Sequence, residues 1–83
     1  MDDTIRGILA EHGGLSQDAA SIGEAEDLYQ LGLTSHASVD VMLAVEDAFD
    51  IDFPDHMLRR STFESVAAIR AAVAEITGSG DPG

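Results

Sequence analysis

Apolar residues fall into three stretches with helical spacing, separated by one long polar interval and one short broken one. In the first stretch Ile5, Ile8 and Leu9 stand at i, i+3 and i+4, acids occupy the opening turn, and Gly13-Gly14 stops the pattern. This predicts a helix over residues 3–12. Residues 14–34 keep no period and are rich in serine, glycine and acids. A loop of roughly 20 residues is long for a small domain, so it is either functional or a helix that periodicity misses. Leu28, Leu31 and Leu33 near its end are expected to pack on the core and tether it.

The second stretch predicts a helix from Thr34-Ser35 to Phe49 or Asp50, with Thr34 as N-cap and Ser35 at the first helical position. Val41, Met42, Val45, Ala48 and Phe49 form its expected core stripe. Pro54 disfavours helix at Phe53, and a short helical turn is expected from Pro54 or Asp55 through Met57, Leu58 and Arg60. Ser61-Thr62-Phe63-Glu64 reads as a capping box opening the last helix, where Val66, Ile69, Val73 and Ile76 keep helical spacing. Tyr29, Phe49, Phe53 and Phe63 read as core. Residues 78–83, Gly-Ser-Gly-Asp-Pro-Gly, form a flexible tail. The expected fold class is all-α: a small four-helix bundle of three main helices plus a short third helix, with a long loop after helix 1.

Composition narrows the function. The 83 residues hold 16 Asp+Glu against 4 Lys+Arg, a net charge of −12, and the cations are all arginines: Arg6, Arg59, Arg60 and Arg70. Phosphates would be repelled, so neither nucleic acid nor an anionic membrane is an expected partner. Basic protein surfaces are. No cysteine is present, so the chain has no disulfide, no thiolate metal site and no thiol of its own. Met1-Asp2-Asp3 is acidic where a signal peptide is basic, and no apolar run nears membrane length, so a cytoplasmic location is expected.

Along the polar side of the second helix, His36, Asp40, Leu43 and Asp47 follow at i, i+4, i+7 and i+11, with Asp50 at the end. Two readings fit: a solvated face with one stray leucine, or a docking stripe in which Leu43 makes the apolar contact and the acids steer a basic partner. Ser35 also carries two readings. A serine at a helix start is usually part of a cap, but its hydroxyl also sits where the helix dipole favours an anion such as a phosphate ester.

Residues 27–49, Asp-Leu-Tyr-Gln-Leu-Gly-Leu-Thr-Ser followed by an acidic helix ending Glu-Asp-Ala-Phe, resemble the acyl and peptidyl carrier protein family. Asp50 to Pro54 and Thr62 to Ile76 resemble its later segments, so the likeness spans residues 1–77 as one carrier domain. The resemblance implies that Ser35 receives a 4′-phosphopantetheine arm from a phosphopantetheinyl transferase using coenzyme A and Mg²⁺. It implies a non-enzymatic, monomeric protein holding an acyl or aminoacyl group as a thioester, with Thr34, His36, Asp40, Leu43 and Asp47 meeting partners; Arg59 and Arg60 either help to select the partner or only complement a helix C-terminus through its dipole. Two departures stand out. Thr34-Ser35-His36 replaces the family's Asp-Ser-Leu, which keeps the cap but drops a charge and a partner-facing leucine, and Arg59-Arg60 stands where many members are acidic.

Thr34 to Val39 and Phe53 to Arg60 are further similar to stand-alone bacterial carriers served by amino acid:carrier protein ligases, enzymes related to the seryl-tRNA synthetase core. That implies loading with a small amino acid such as glycine or alanine, then transfer to a downstream acceptor enzyme. An unmodified helical adaptor, binding a protein through the acidic helix, is the alternative. A Ser35-His36-Asp40 triad is rejected, because neighbouring helical residues diverge by about 100° and no useful pocket is expected in so small a core. His12, His36 and His56 lack zinc spacing, and the acids from Asp47 to Asp55 lack the glycine and glutamate of a calcium loop.

Overall fold

The computed structural model describes residues 2–78; Met1 and residues 79–83, which hold nearly all of the expected flexible tail, lie outside the described residues. Three α-helices make up the fold: α1 (Asp2–His12), α2 (Ser35–Phe49) and α3 (Val66–Thr77). Short 3₁₀ turns at Ala19–Ser21, Asp55–Met57 and Arg60–Phe63 lie between them, and no strand occurs among the described residues. The all-α class is as expected. Where the short third helix is expected, the described residues form 3₁₀ turns instead.

α1 packs against both α2 and α3. Ile5 and Leu9 meet Val41 and Val45 of α2 and Val66, Ile69 and Val73 of α3 in one core with no solvent exposure at these positions. Each such aliphatic side chain contributes roughly 1.5–3 kcal/mol by leaving water. On α2 the expected stripe holds for Val41 and Val45, with Met42 and Phe49 packed at its edge. Ala48 is a correction: it is exposed, and Ala44 packs on the core instead.

Residues 14–34 are a pinned loop rather than a hidden helix. Leu28 and Leu33 are buried and Leu31 packs against the core, as expected, joined by Ala19 and Ile22. The Arg6 guanidinium donates to the Ala19 and Ile22 carbonyls, so one half-buried arginine closes the first half of the loop onto α1. The Ser16 N–H and hydroxyl both donate to the Leu31 carbonyl, at 2.8 and 3.0 Å. Leu28 N–H donates to Glu64 O (2.7 Å) and Ala67 N–H to Glu24 O (2.9 Å), tying the loop to the entry of α3. Gly32 takes φ +110° in the turn that feeds α2, a conformation open to glycine and strained for other residues.

Residues 54–63 depart most from expectation. The single short helix becomes two 3₁₀ turns separated by Arg59 in an extended conformation (φ −143°, ψ 161°). A continuous α-helix would set Met57 and Phe63 about 120° apart, unable to share one buried face. Breaking the segment buries both, and Phe63 meets Phe53 edge-on with ring centroids 5.4 Å apart. The capping box at Ser61 is likewise not used. Because Thr62 and Phe63 turn inward, α3 starts at Val66 with Ser65 as N-cap, its hydroxyl accepting from the Ala68 N–H at 3.0 Å. Val66, Ile69 and Val73 are buried and Ile76 packs at the edge, as the spacing predicts.

Candidate functional site

The loop tether, the N-cap and the broken 54–63 segment converge on the start of α2. Thr34 is extended and its hydroxyl accepts from the Ala37 N–H at 3.0 Å, which places Ser35 in the first helical position as expected. Ser35 is exposed. Its carbonyl accepts from the Ser38 hydroxyl at 2.7 Å, while no described residue bonds its own hydroxyl. An incoming group therefore meets a free oxygen on a fixed backbone.

Ser35 opens onto a cleft of about 380 Å³ between α2 and the 54–63 segment. Its walls are apolar, from Val39, Met42, Leu58 and Phe63, and Tyr29, Ser38, Arg59 and Arg60 also line it. This corrects the expectation that the fold offers no useful pocket. Tyr29 packs against the core as expected, and its half-exposed side also forms a wall of the cleft. Its hydroxyl donates to the Arg60 carbonyl at 3.0 Å, and the Arg60 guanidinium lies 3.8 Å over its ring. Burial raises the Tyr29 pKa against the opposing pull of the Arg60 charge, so the hydroxyl stays a donor through neutral pH.

His36, Asp40, Leu43 and Asp47 are all exposed along one side of α2. His36 Nε2 stands 3.9 Å from Asp40 Oδ2, and Leu43 is 53% exposed. The sequence reading missed Val39 (49%) and Leu58 (47%), which with Leu43 are the large exposed apolar residues. The i, i+4 spacing of Val39 and Leu43 was an available signal; Leu58 joins them only through the fold. Arg59 and Arg60 are exposed but face the cleft rather than a helix end. Among the described residues no three His, Asp or Glu side chains gather as a metal site, and no helix is long and apolar enough to cross a membrane.

The family model described as the phosphopantetheine attachment site matches residues 3–71. The chain belongs to that family. Carrier proteins of this kind are substrates of ligases rather than catalysts, and their cofactor is phosphopantetheine. The site's chemistry fits that group: a free hydroxyl to esterify, two guanidiniums for a phosphate, and an apolar wall for the arm. This carrier is 49% identical over 73 residues to the aminoacyl carrier protein of Agrobacterium fabrum, covering 88% of each chain. It is similar, at 49% identity and TM-score 0.86, to a chain in the crystal structure of an engineered Bradyrhizobium japonicum glycine:[carrier protein] ligase complexed with carrier protein from Agrobacterium tumefaciens and AMP. That match covers 88% of this carrier and 97% of the other chain. A chain in the structure of the Bradyrhizobium japonicum ligase complexed with glycylated carrier protein matches at 27% identity and TM-score 0.72, covering 86% and 95%.

Proposed function

We propose that Ser35 carries the 4′-phosphopantetheine arm and that the arm is loaded with a small amino acid, glycine being the first candidate, by an amino acid:carrier protein ligase. One observation carries this reading: an exposed serine with a free hydroxyl occupies the first turn of a capped helix and opens onto a cleft with two arginines and apolar walls. Similarity to an aminoacyl carrier protein and to carriers solved with a glycine:carrier protein ligase supports the choice of cargo. When attached, the arm supplies the thiol that this cysteine-free chain lacks and carries the cargo as a thioester.

In this reading residues 1–77 are the carrier domain, residues 78–83 a tail, and the protein works in the cytoplasm as a monomer. A phosphopantetheinyl transferase installs the arm, a ligase loads it, and a downstream enzyme accepts the aminoacyl group. Thr34 fixes the serine's backbone. His36, Asp40, Leu43 and Asp47 dock basic partner surfaces, with Arg59 and Arg60 lining the cleft at the edge of that face. A long tether at the rim of a small domain raises the effective concentration of its cargo at each partner's active site.

The test uses the arm-bearing protein, a glycine:carrier protein ligase, ATP, Mg²⁺ and glycine, read by intact mass. The wild type gains one glycyl group. Ser35→Ala, which cannot be primed, gains none. Glycylation of the Ser35→Ala protein contradicts the attachment point, and a primed wild type that accepts no amino acid contradicts the cargo.

A further inference from the structure

We propose that Arg59 and Arg60 form an anion subsite that clamps the phosphodiester of the arm on Ser35 and lays the arm along the apolar cleft. This rests on the reading of Ser35 above and assigns the two arginines a ligand within their own molecule.

Arg6 is spent on the Ala19 and Ile22 carbonyls, and Arg70 bridges Asp2 and Glu24 at 2.9 and 3.3 Å. Arg59 and Arg60 remain. Sixteen acids are available, yet among the described residues neither arginine has a carboxylate within ion-pair distance. Both instead line the cleft that Ser35 opens onto, and the first turn of α2 beside them contains no acid. The fold thus gathers two of the four arginines in the cleft that holds its candidate esterification site.

Arg60 is also pre-oriented. Its guanidinium face lies on the Tyr29 ring and its backbone carbonyl is held by the Tyr29 hydroxyl. Stacking occupies the face of the guanidinium and leaves its edge N–H groups directed outward, the arrangement that pairs with phosphate oxygens. Arg59 is set by its extended backbone between the two 3₁₀ turns, with its N–H donating to Met57 O at 2.9 Å. Behind the arginines, Val39, Met42, Leu58 and Phe63 give a wall for the methyl-bearing arm, in a cleft whose 380 Å³ lies within the ~300–1,000 Å³ of small-molecule sites.

The experiment compares apo and arm-bearing protein by ¹H–¹⁵N and ³¹P NMR, after intact mass has confirmed the increment. The clamp predicts that amides of Tyr29, Val39, Met42, Leu58 and Phe63, and the Arg59 and Arg60 side-chain N–H signals, shift on attachment. The Arg59→Gln/Arg60→Gln double variant lowers the docked-to-free ratio about tenfold, so those differences collapse and the ³¹P signal moves to its free position. Arg→Lys variants restore part of it, keeping charge without the fork. Raising salt on the wild type loosens the clamp with no substitution at all. Differences confined to residues beside Ser35, or a ³¹P signal indifferent to both salt and the double variant, overturn the clamp while the carrier reading stands. Absence of the mass increment overturns both.

Discussion

Replacing Ser65 with alanine tests where α3 begins and what its cap is worth. The Ser65 hydroxyl accepts from the Ala68 N–H at 3.0 Å, and the residue is only 9% exposed, so water cannot readily take its place. N-cap substitutions cost about 0.5–2 kcal/mol, and the shielded position puts this one in the upper half, about 1–2 kcal/mol. For a domain of this size each kcal/mol lowers Tm by about 4–8 °C, so Ser65→Ala falls by about 4–16 °C. Ser61 is exposed and caps no helix, so Ser61→Ala stays within about 4 °C of wild type. Melts followed by circular dichroism at 222 nm measure both. Amide exchange adds a local readout, because Leu28 N–H to Glu64 O and Ala67 N–H to Glu24 O hang on the same entry. Ser65→Ala therefore exposes Leu28 and Ala67 amides sooner. A larger loss in Ser61→Ala than in Ser65→Ala refutes the reasoning and returns the start of α3 to the capping box.

Asp50 holds a left-handed conformation at the end of α2 (φ 55°, ψ 52°), so Asp50→Gly raises stability by up to about 1 kcal/mol; a lower Tm contradicts this. Leu43→Ala and Asp47→Arg leave the domain folded, Asp47→Arg with a Tm no lower than wild type, but weaken a glycine:carrier protein ligase complex several-fold by calorimetry at low salt, and unchanged affinity removes the docking stripe. Salt stabilises the domain. Raising ionic strength from about 0.01 to 0.15 M cuts the screening length from about 30 to 8 Å. That change spans the 35 × 24 × 19 Å molecule, so repulsion among its acids falls and Tm rises. A Tm that is flat or falls with salt shows that pairs such as Arg70 with Asp2 outweigh the net charge.

Where local signals agree with packing, the sequence carries the fold. Ile5, Ile8 and Leu9 mark α1, and Thr34 before Val41 and Val45 marks α2 down to its cap. The same signals put Ser35 in the first helical position; its candidacy as the attachment point comes from the resemblance of residues 27–49 to the carrier family. Two serines compete for the start of α3, and the local evidence favours the wrong one. Ser61 has Glu64 three residues on, whereas Ser65 has alanine there, and the inward turn of Thr62 and Phe63 decides between them. The same burial of Met57 and Phe63 splits the short helix, against the period of the chain. The cleft is invisible to any local rule, because residues 58–63 are distant in sequence from Tyr29 and the first turns of α2. Tyr29 reads only as core, and its second role appears when Arg60 is seen lying on it.

Intact mass after incubation with coenzyme A, Mg²⁺ and a broad-specificity phosphopantetheinyl transferase, wild type beside Ser35→Ala, tests the central claim most directly. A single phosphopantetheinyl increment on the wild type and none on Ser35→Ala is the predicted result. No increment on a folded wild type with several transferases, or an increment that survives Ser35→Ala, contradicts it. The first of these outcomes favours an adaptor that keeps the carrier fold, with Thr34 and His36 beside the serine as the cause; the second moves the attachment point elsewhere on the chain.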